Sequence, residues 1–368
     1  MRILHINCNY IGTTLHQLMI EKLDALGIQN EVFVPTYDKY IAVIKPNDNV
    51  YVSECFSKWD RLVFDYKQSK IIKAIEEHYD VKSFDLIHAY TLFTDGNAAR
   101  VLSEKYGVPY VVAVRNTDLN DFFRMMIHLR GRGVKNMLEA SRVFFLSDTY
   151  RRQVFEQYVS EKFHAEIQAK TEIIPNGIDD FWFDNSPSEE KIVNSQNMKL
   201  IYAGEINKNK NITGTQKAME ILRKKGINAT LTVVGNIVEQ EEYDKVIADK
   251  YTTYIPARPK DKLIDIYRDN DIFVMPSIYE SFGLVYAEAM SQRLPVIYTK
   301  GQGFDGQFEE GTVGYRVDAK SPQSIATAIE EVVHDYDNLS QNAIHCARKF
   351  CWERIAKLYI EIYKSINR

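Results

Sequence analysis

The stretch PSIYESFGLVYAEAM, residues 276–290, carries two glutamates, Glu280 and Glu288, with Phe282, Gly283 and Leu284 between them. Two carboxylates in one short motif first suggest a general acid/base pair, whose carboxyls should stand about 5–9.5 Å apart. Eight helical residues separate them instead by roughly 12 Å along an axis. The pair therefore brackets something. The strand-forming run DIFVMPS ends at Ser277, and a helix is predicted from near Ser281, with Ser281 as its cap. The amides of Phe282, Gly283 and Leu284 would then be first-turn donors without intrahelical acceptors, at the positive end of a helix, suited to a phosphate. Gly283 allows close backbone approach. Glu288 beyond the phosphates would suit a pair of ribose hydroxyls, as acidic residues do in dinucleotide folds. The plainer alternative is two solvated or salt-bridged glutamates.

Other chemistry-bearing residues fall at comparable strand-to-helix junctions. In IYAGEINKNKNITGTQKAMEIL a strand ends at Gly204 and a helix resumes near Thr213, leaving Glu205, Lys208 and Lys210 in the loop. These lysines are either anion ligands or a solvated loop. AVRNTDLNDFF places Arg115, Asn116 and Asp118 after a buried strand, where the latter two either bind sugar hydroxyls or form a turn. His88 in LIHAY is expected to be a satisfied strand-end histidine rather than a base. Asp269-Asn270-Asp271 has a metal-motif spacing but immediately precedes a strand, at the end away from the ligand loops, and is rejected as a metal site. The histidines show no HxxxH or HExxH pair, so zinc is not expected.

The elements that must position these residues alternate along the whole chain. Strand-like runs RILHIN, EVFVPT, DLIHAY, PYVVAV, VFFLS and TEIIP fill the first half. KLIYAG, ATLTVVG, YTTYI, DIFVMPS, PVIYT and VGYRV fill the second. Helices are predicted over 14–26, 95–106, 149–158, 213–225, 260–268, 282–291 and 322–335. That alternation is the pattern of parallel sheets covered by helices. At 368 residues and ~150 residues per domain, two domains are expected. The polar run at 184–197 has no hydrophobic period and reads as a linker. The expected division is a first doubly wound domain at 1–178, an interdomain linker at 179–197, a second domain at 198–350 and a terminal helix at 351–368. That helix has Phe350, Ile355, Leu358, Tyr359, Ile362 and Tyr363 near helical spacing, with the first domain as the candidate for its apolar face. Two such domains facing each other would leave a ligand cleft at the carboxyl ends of their strands.

A composition of 45% hydrophobic and 26% charged residues is that of a globular protein. The net charge of -4 gives no global pull toward nucleic acid. Four cysteines without CxxC spacing read as reduced thiols of a cytoplasmic protein, and no apolar run is long enough to span a membrane. One local exception is residues 122–152, where seven Lys and Arg oppose Glu139 and Asp148 beside Phe122, Phe123, Met125, Met126 and Ile127. This stretch is either a peripheral contact with an anionic membrane face or a basic solvated surface.

Taken together, PSIYESFGLVYAEAM, LPVIYTKGQG, EEGTVGYRV, IIPNGID and the closing FCWERIAKLY resemble the family 4, group 1 retaining glycosyltransferases of the GT-B fold, in the right order over most of the chain. The resemblance implies two Rossmann-like domains, the second binding a nucleotide-diphosphate sugar. It implies Glu280 at the donor sugar, Glu288 on the ribose, and the Gly283 and Leu284 amides on the diphosphate. Lys210 matches the family's phosphate-binding lysine, whereas Glu205 stands where the family has arginine. A carboxylate about 4 Å from a phosphate charge would cost on the order of 4 kcal/mol at an effective dielectric of 20, so Glu205 must turn away or be neutralised, for example by Lys208. Arg258, in YIPARPKDK, matches the base-contacting region and either stacks or lies exposed. Gly12 matches a flexible loop near the donor phosphates, and equally an ordinary turn. Arg115 stands in place of a family histidine. The implied activity is metal-independent, cofactor-free transfer of a sugar to a hydroxyl of a glycan or glycolipid in surface polysaccharide assembly, with Glu280 and Lys210 as the catalytic residues. The rival expectations are a sugar-nucleotide epimerase or phosphorylase on the same fold, or a nucleotide-sugar-binding protein that has lost catalysis.

Overall fold

The computed structural model describes residues 1–38 and 47–366, and among these the chain divides into two compact units. Unit 1 comprises residues 1–177 together with the C-terminal segment from Trp352, and unit 2 comprises 178–351.

Unit 1 holds seven strands: β1 (Arg2–Ile6), β2 (Gln29–Pro35), β3 (Val50–Ser53), β4 (Leu86–Ala89), β5 (Tyr110–Val114), β6 (Arg142–Phe145) and β7 (Thr171–Ile173). Their order in the sheet is β3-β2-β1-β4-β5-β6-β7, and every pairing is parallel. The chain winds one way from β1 and the other way from β4, so the reversal of direction falls between two central strands. Because helices cover both faces, central strands must be apolar on both sides. YVVAV in β5 is accordingly buried at every position.

Helix boundaries follow local chemistry. The Thr94–Tyr106 helix stops at Gly107, whose left-handed φ of 73° lets its amide close on the Ser103 carbonyl at 2.8 Å. The Asp148–Tyr158 helix starts at Ser147, whose hydroxyl accepts from the Tyr150 amide at 3.3 Å. The terminal helix, Trp352–Ile366, buries Trp352, Ile355, Tyr359, Ile362 and Tyr363. Their partners are Met19, Ile20 and Leu23 of the Leu15–Ala25 helix, together with strand residues such as Val111 and Phe144. Unit 1 is therefore completed by a helix that the chain supplies only after building unit 2. Leu358, predicted on the apolar face, is exposed instead, and Phe350 packs in unit 2.

Unit 2 holds β8 (Asn197–Ala203), β9 (Asn228–Gly235), β10 (Thr252–Pro256), β11 (Ile272–Met275), β12 (Val296–Thr299) and β13 (Gly314–Val317), all parallel. Its order, β10-β9-β8-β11-β12-β13, repeats the winding of unit 1, with the reversal between β8 and β11. The 179–197 stretch is not a free linker. It carries a short helix, Phe181–Asp184, and buries Trp182 against Tyr267, and Lys191 pairs with Asp271 at 2.8 Å. One aromatic anchor and two ion pairs, the second between Asp179 and Lys260, tie it to unit 2 and are invisible to a window average of polarity.

Candidate functional site

The site of unit 2 lies where its winding reverses, at the carboxyl ends of β8 and β11, the position at which open α/β sheets bind ligands. After β8 the chain turns through Lys208–Lys210, with the Asn207 side chain accepting from the Lys210 amide at 3.2 Å. After β11 it runs through Pro276 to Glu280. Asn209 joins the two loops: its carbonyl accepts from the Ile278 amide at 2.8 Å. Its side chain bonds both the carbonyl and the amide of Tyr279, each at 2.9 Å. This backbone stitch brings the Lys210 ammonium to 2.7 Å from the Glu280 carboxylate, with side chains only 19% and 12% exposed.

Glu280 is held from further sides. Its amide donates to Gln302 at 2.9 Å, its carbonyl accepts from the Gly303 amide at 3.1 Å, and Ser277 Oγ lies 3.4 Å from its carboxylate. A Cβ at Gly303 would stand 1.9 Å from the Ser281 carbonyl, so only glycine permits the loop after β12 to pass there. Asn209 and Gln302 are the positioning residues that sequence reasoning missed. Each lies among charged or glycine neighbours, in NKNKN and KGQG, and carries no charge of its own.

The helix after Glu280 spans Leu284–Ser291, starting later than predicted, and Ser281 does not cap it. Gly283 occupies the capping position at φ 75°, where a Cβ would come within 2.4 Å of the Tyr286 ring. The amides at Leu284 and Val285 have no acceptor within the helix and form its positive end. The Phe282 side chain, by contrast, is core: it is buried and packs on Phe350. One helical turn on, Glu288 is crowded by protein, and this desolvation, with Asp179 nearby, pushes its carboxyl up to about 7, against the pull of Lys260 and the Tyr267 hydroxyl. Lys260 and Asp179 themselves form an ion pair.

The remaining donor-side residues take different positions. Gly204 directly follows β8, and Glu205 after it is exposed, with Asn207 Nδ2 3.4 Å from its carboxylate and its carbonyl accepting from the Tyr202 hydroxyl at 2.6 Å. Its charge is thus turned into solvent rather than neutralised by Lys208, which is exposed and whose amide donates to Glu239. Arg258 is exposed in the loop after β10. Asp271 of the rejected metal motif accepts from the Lys199 amide at 2.8 Å and pairs with Lys191, at the amino end of β11.

In unit 1, Asp118 is not available for a sugar hydroxyl. It is buried and accepts from the amides of Leu92, Phe93 and Arg115 at 3.0, 3.2 and 2.8 Å, fastening two strand-end loops together. Desolvation outweighs these bonds and pushes its carboxyl up to about 6. Arg115 donates to the Tyr90 carbonyl and to Asn176 at 3.1 Å, while Asn116 accepts from Asn120 and from the Tyr150 hydroxyl. Gly12 ends a short helical turn, Tyr10–Gly12, and a Cβ there would meet nothing within 4 Å. His88 is buried, with Nδ1 2.7 Å from the Tyr363 hydroxyl and its pKa held well below the ordinary value by desolvation.

Comparison with known proteins matches this arrangement in both units. Residues 13–180 match the model of Glycosyltransferase Family 4, and residues 184–350 match that of Glycosyl transferases group 1. The D-inositol 3-phosphate glycosyltransferase of Paenarthrobacter aurescens (strain TC1) is 27% identical over 305 residues, 77% of this chain and 73% of that protein. Sucrose-phosphate synthase from Thermosynechococcus elongatus superposes with a TM-score of 0.74 at 18% identity, over 99% of this chain and 98% of that one. Anabaena Alr3699/HepE in complex with UDP and glucose superposes at 0.66, also at 18% identity, over 99% of this chain and 100% of that one. With both halves matched and the two-sheet fold shared, the chain belongs to the family 4, group 1 glycosyltransferases of the GT-B fold.

Proposed function

We propose that this glycosyltransferase moves a hexose, with retention and without a metal, from a nucleoside diphosphate sugar to a hydroxyl of a glycan or glycolipid. The observation that carries the reading is the Lys210–Glu280 pair, set at the carboxyl ends of β8 and β11 beside the open amides of Leu284 and Val285. A UDP donor is favoured by the HepE neighbour, whose structure holds UDP and glucose.

In this reading the diphosphate meets the helix start and the Lys210 ammonium, which together stabilise the charge that develops as the bond from sugar to phosphate breaks. The acceptor oxygen bonds to the anomeric carbon on the face the diphosphate leaves. Its proton passes to a leaving phosphate oxygen, so no covalent enzyme intermediate is needed. Glu280, fixed by Gln302 and Gly303, takes hydroxyls of the sugar, and Glu288 takes those of the ribose. The deciding experiment is a thermal-shift screen of UDP, GDP and ADP sugars, followed by slow donor hydrolysis and assignment of the product anomer. A donor that is bound and hydrolysed to the inverted anomer would exclude retention. Full rates in chelator agree with metal independence, and their loss would refute it.

A further inference from the structure

Exposed apolar side chains gather on two segments of unit 1, both leaving the carboxyl edge of its sheet. After β3, Trp59, Leu62, Val63 and Tyr66 are exposed by 79, 77, 58 and 53%. After β5, Met125, Met126 and Ile127 are exposed by 72, 38 and 66%. Seven of the sixteen exposed large hydrophobic residues among the described residues therefore lie in these two places, so they are not the scattered exposure that any surface shows. The segments adjoin each other. Phe64 and Phe122 meet edge to face with centroids 6.3 Å apart, and Arg132 reaches Asp65 at 2.7 Å.

The surrounding charge is net positive. Residues 58–70 and 121–132 hold seven Lys and Arg against three Asp. Two of those aspartates, Asp60 and Asp65, already pair with Lys70 and Arg132. By contrast, the arginines that the sequence grouped farther along, Arg151 and Arg152, are both tied to Asp148, so the 122–152 stretch as a whole is not the basic surface. Aromatic and aliphatic tips beside the exposed cations Lys58, Arg61 and Arg124 match the headgroup region of an anionic bilayer: apolar groups enter the acyl boundary and cations meet phosphate. The same surplus disfavours a second copy of the surface as the occupant, since like charges would face each other. Among the described residues no helix is long and apolar enough to cross a membrane, so the contact implied is one that lies on it.

We propose that unit 1 docks on anionic lipid through this two-segment surface, with Trp59, Leu62, Met125 and Ile127 entering the headgroup layer. The test is co-sedimentation of the full chain, without donor, with phosphatidylglycerol-containing vesicles and with phosphatidylcholine vesicles. Binding to the anionic vesicles alone, weakened by salt, is expected. Arg61→Gln and Arg124→Gln should each lower affinity about fivefold, and Trp59→Ser with Ile127→Ser by roughly tenfold or more. Ile192→Ser, an exposed residue of unit 2, should leave binding unchanged. The replaced side chains are solvent-exposed, so the variants should keep the wild-type melting profile; should the double variant not, Leu62→Ser alone carries the same expectation. No pelleting with anionic vesicles, equal binding by the apolar variants, or their abolition of a concentration-dependent dimer in a protein that ignores vesicles would each overturn the proposal. Donor hydrolysis measured on the same variants keeps this outcome separate from that of the transferase reading.

Discussion

Replacing Lys210 with alanine separates a role in the reaction from a role in holding Glu280. If the ammonium stabilises the leaving diphosphate, removing one such preorganised charge should lower kcat by about 100- to 1000-fold, or about 3–4 kcal/mol. A separate cost falls on stability. Glu280 would lose its partner at 2.7 Å but keep the Ser281 amide at 3.1 Å and Ser277 Oγ at 3.4 Å. Breaking a fully buried pair costs about 3–5 kcal/mol. Here the side chains keep 12% and 19% of their exposure, which brings the expectation to about 1–3 kcal/mol and a drop in Tm of a few degrees. The two effects are measured independently, by saturation kinetics of donor hydrolysis and by thermal melting. Adding Glu280→Gln separates them further. If Lys210 serves only to neutralise Glu280, the double variant matches Glu280→Gln alone in kcat; if it acts on the phosphate, the double variant falls well below it. A single variant that melts early but keeps kcat within about threefold, under 1 kcal/mol of barrier, would refute the catalytic assignment.

Glu288 has a folded pKa of about 7 against an ordinary 4.5, so its contribution to stability is fully present below pH 4.5 and is lost as pH rises through 7. Donor binding runs the opposite way, because accepting ribose hydroxyls needs the carboxylate. Calorimetric affinity for UDP should weaken as pH falls below 7, and Glu288→Gln should flatten that dependence. Gly283→Ala should destabilise by about 1–2 kcal/mol from the left-handed backbone alone, and more from the Tyr286 ring 2.4 Å from the new Cβ, seen as a lower Tm with weaker donor binding. Gly12→Ala, with open space around its Cβ, should leave activity intact and raise stability by about 0.4–1 kcal/mol. A large loss of turnover there would restore the flexible-loop expectation.

The elements that sequence reasoning found are those whose pattern is local and strong. The helices at Leu15–Ala25, Thr94–Tyr106 and Ile212–Lys224 fall within a residue of expectation because each buries several side chains at helical spacing, although none has a side-chain cap at its start. The strand at Val50–Ser53 was missed because it is a short edge strand with no fully buried position to mark it. The Phe64–His78 helix was missed because only Gln68, Ile71 and Ile75 are buried in it, and the Gln240–Ile247 helix because only Val246 is. At the site, Glu280, Lys210, Gly283 and Glu288 were legible as residue types at strand-to-helix junctions. The capping residue was not, because the space at Gly283 is closed by the Tyr286 ring and the Glu280 side chain, contacts that local sequence does not show.

By itself the sequence determined the alternation of strand and helix and the duplication of a doubly wound architecture. Only the tertiary structure decided which charges meet. Lys210 and Glu280 lie 70 residues apart in the chain and 2.7 Å apart in space, because β8 and β11 are neighbours in a sheet whose order no local period encodes. In unit 1 the pairing of β4 with β5 likewise puts Asp118 under three amides, two of them from the loop after β4. Periodicity is a property of neighbouring residues and can be read along the chain. Which carboxylate is solvated, paired or enclosed depends on strand order and loop crossings, and these are fixed only when both faces of each sheet are covered.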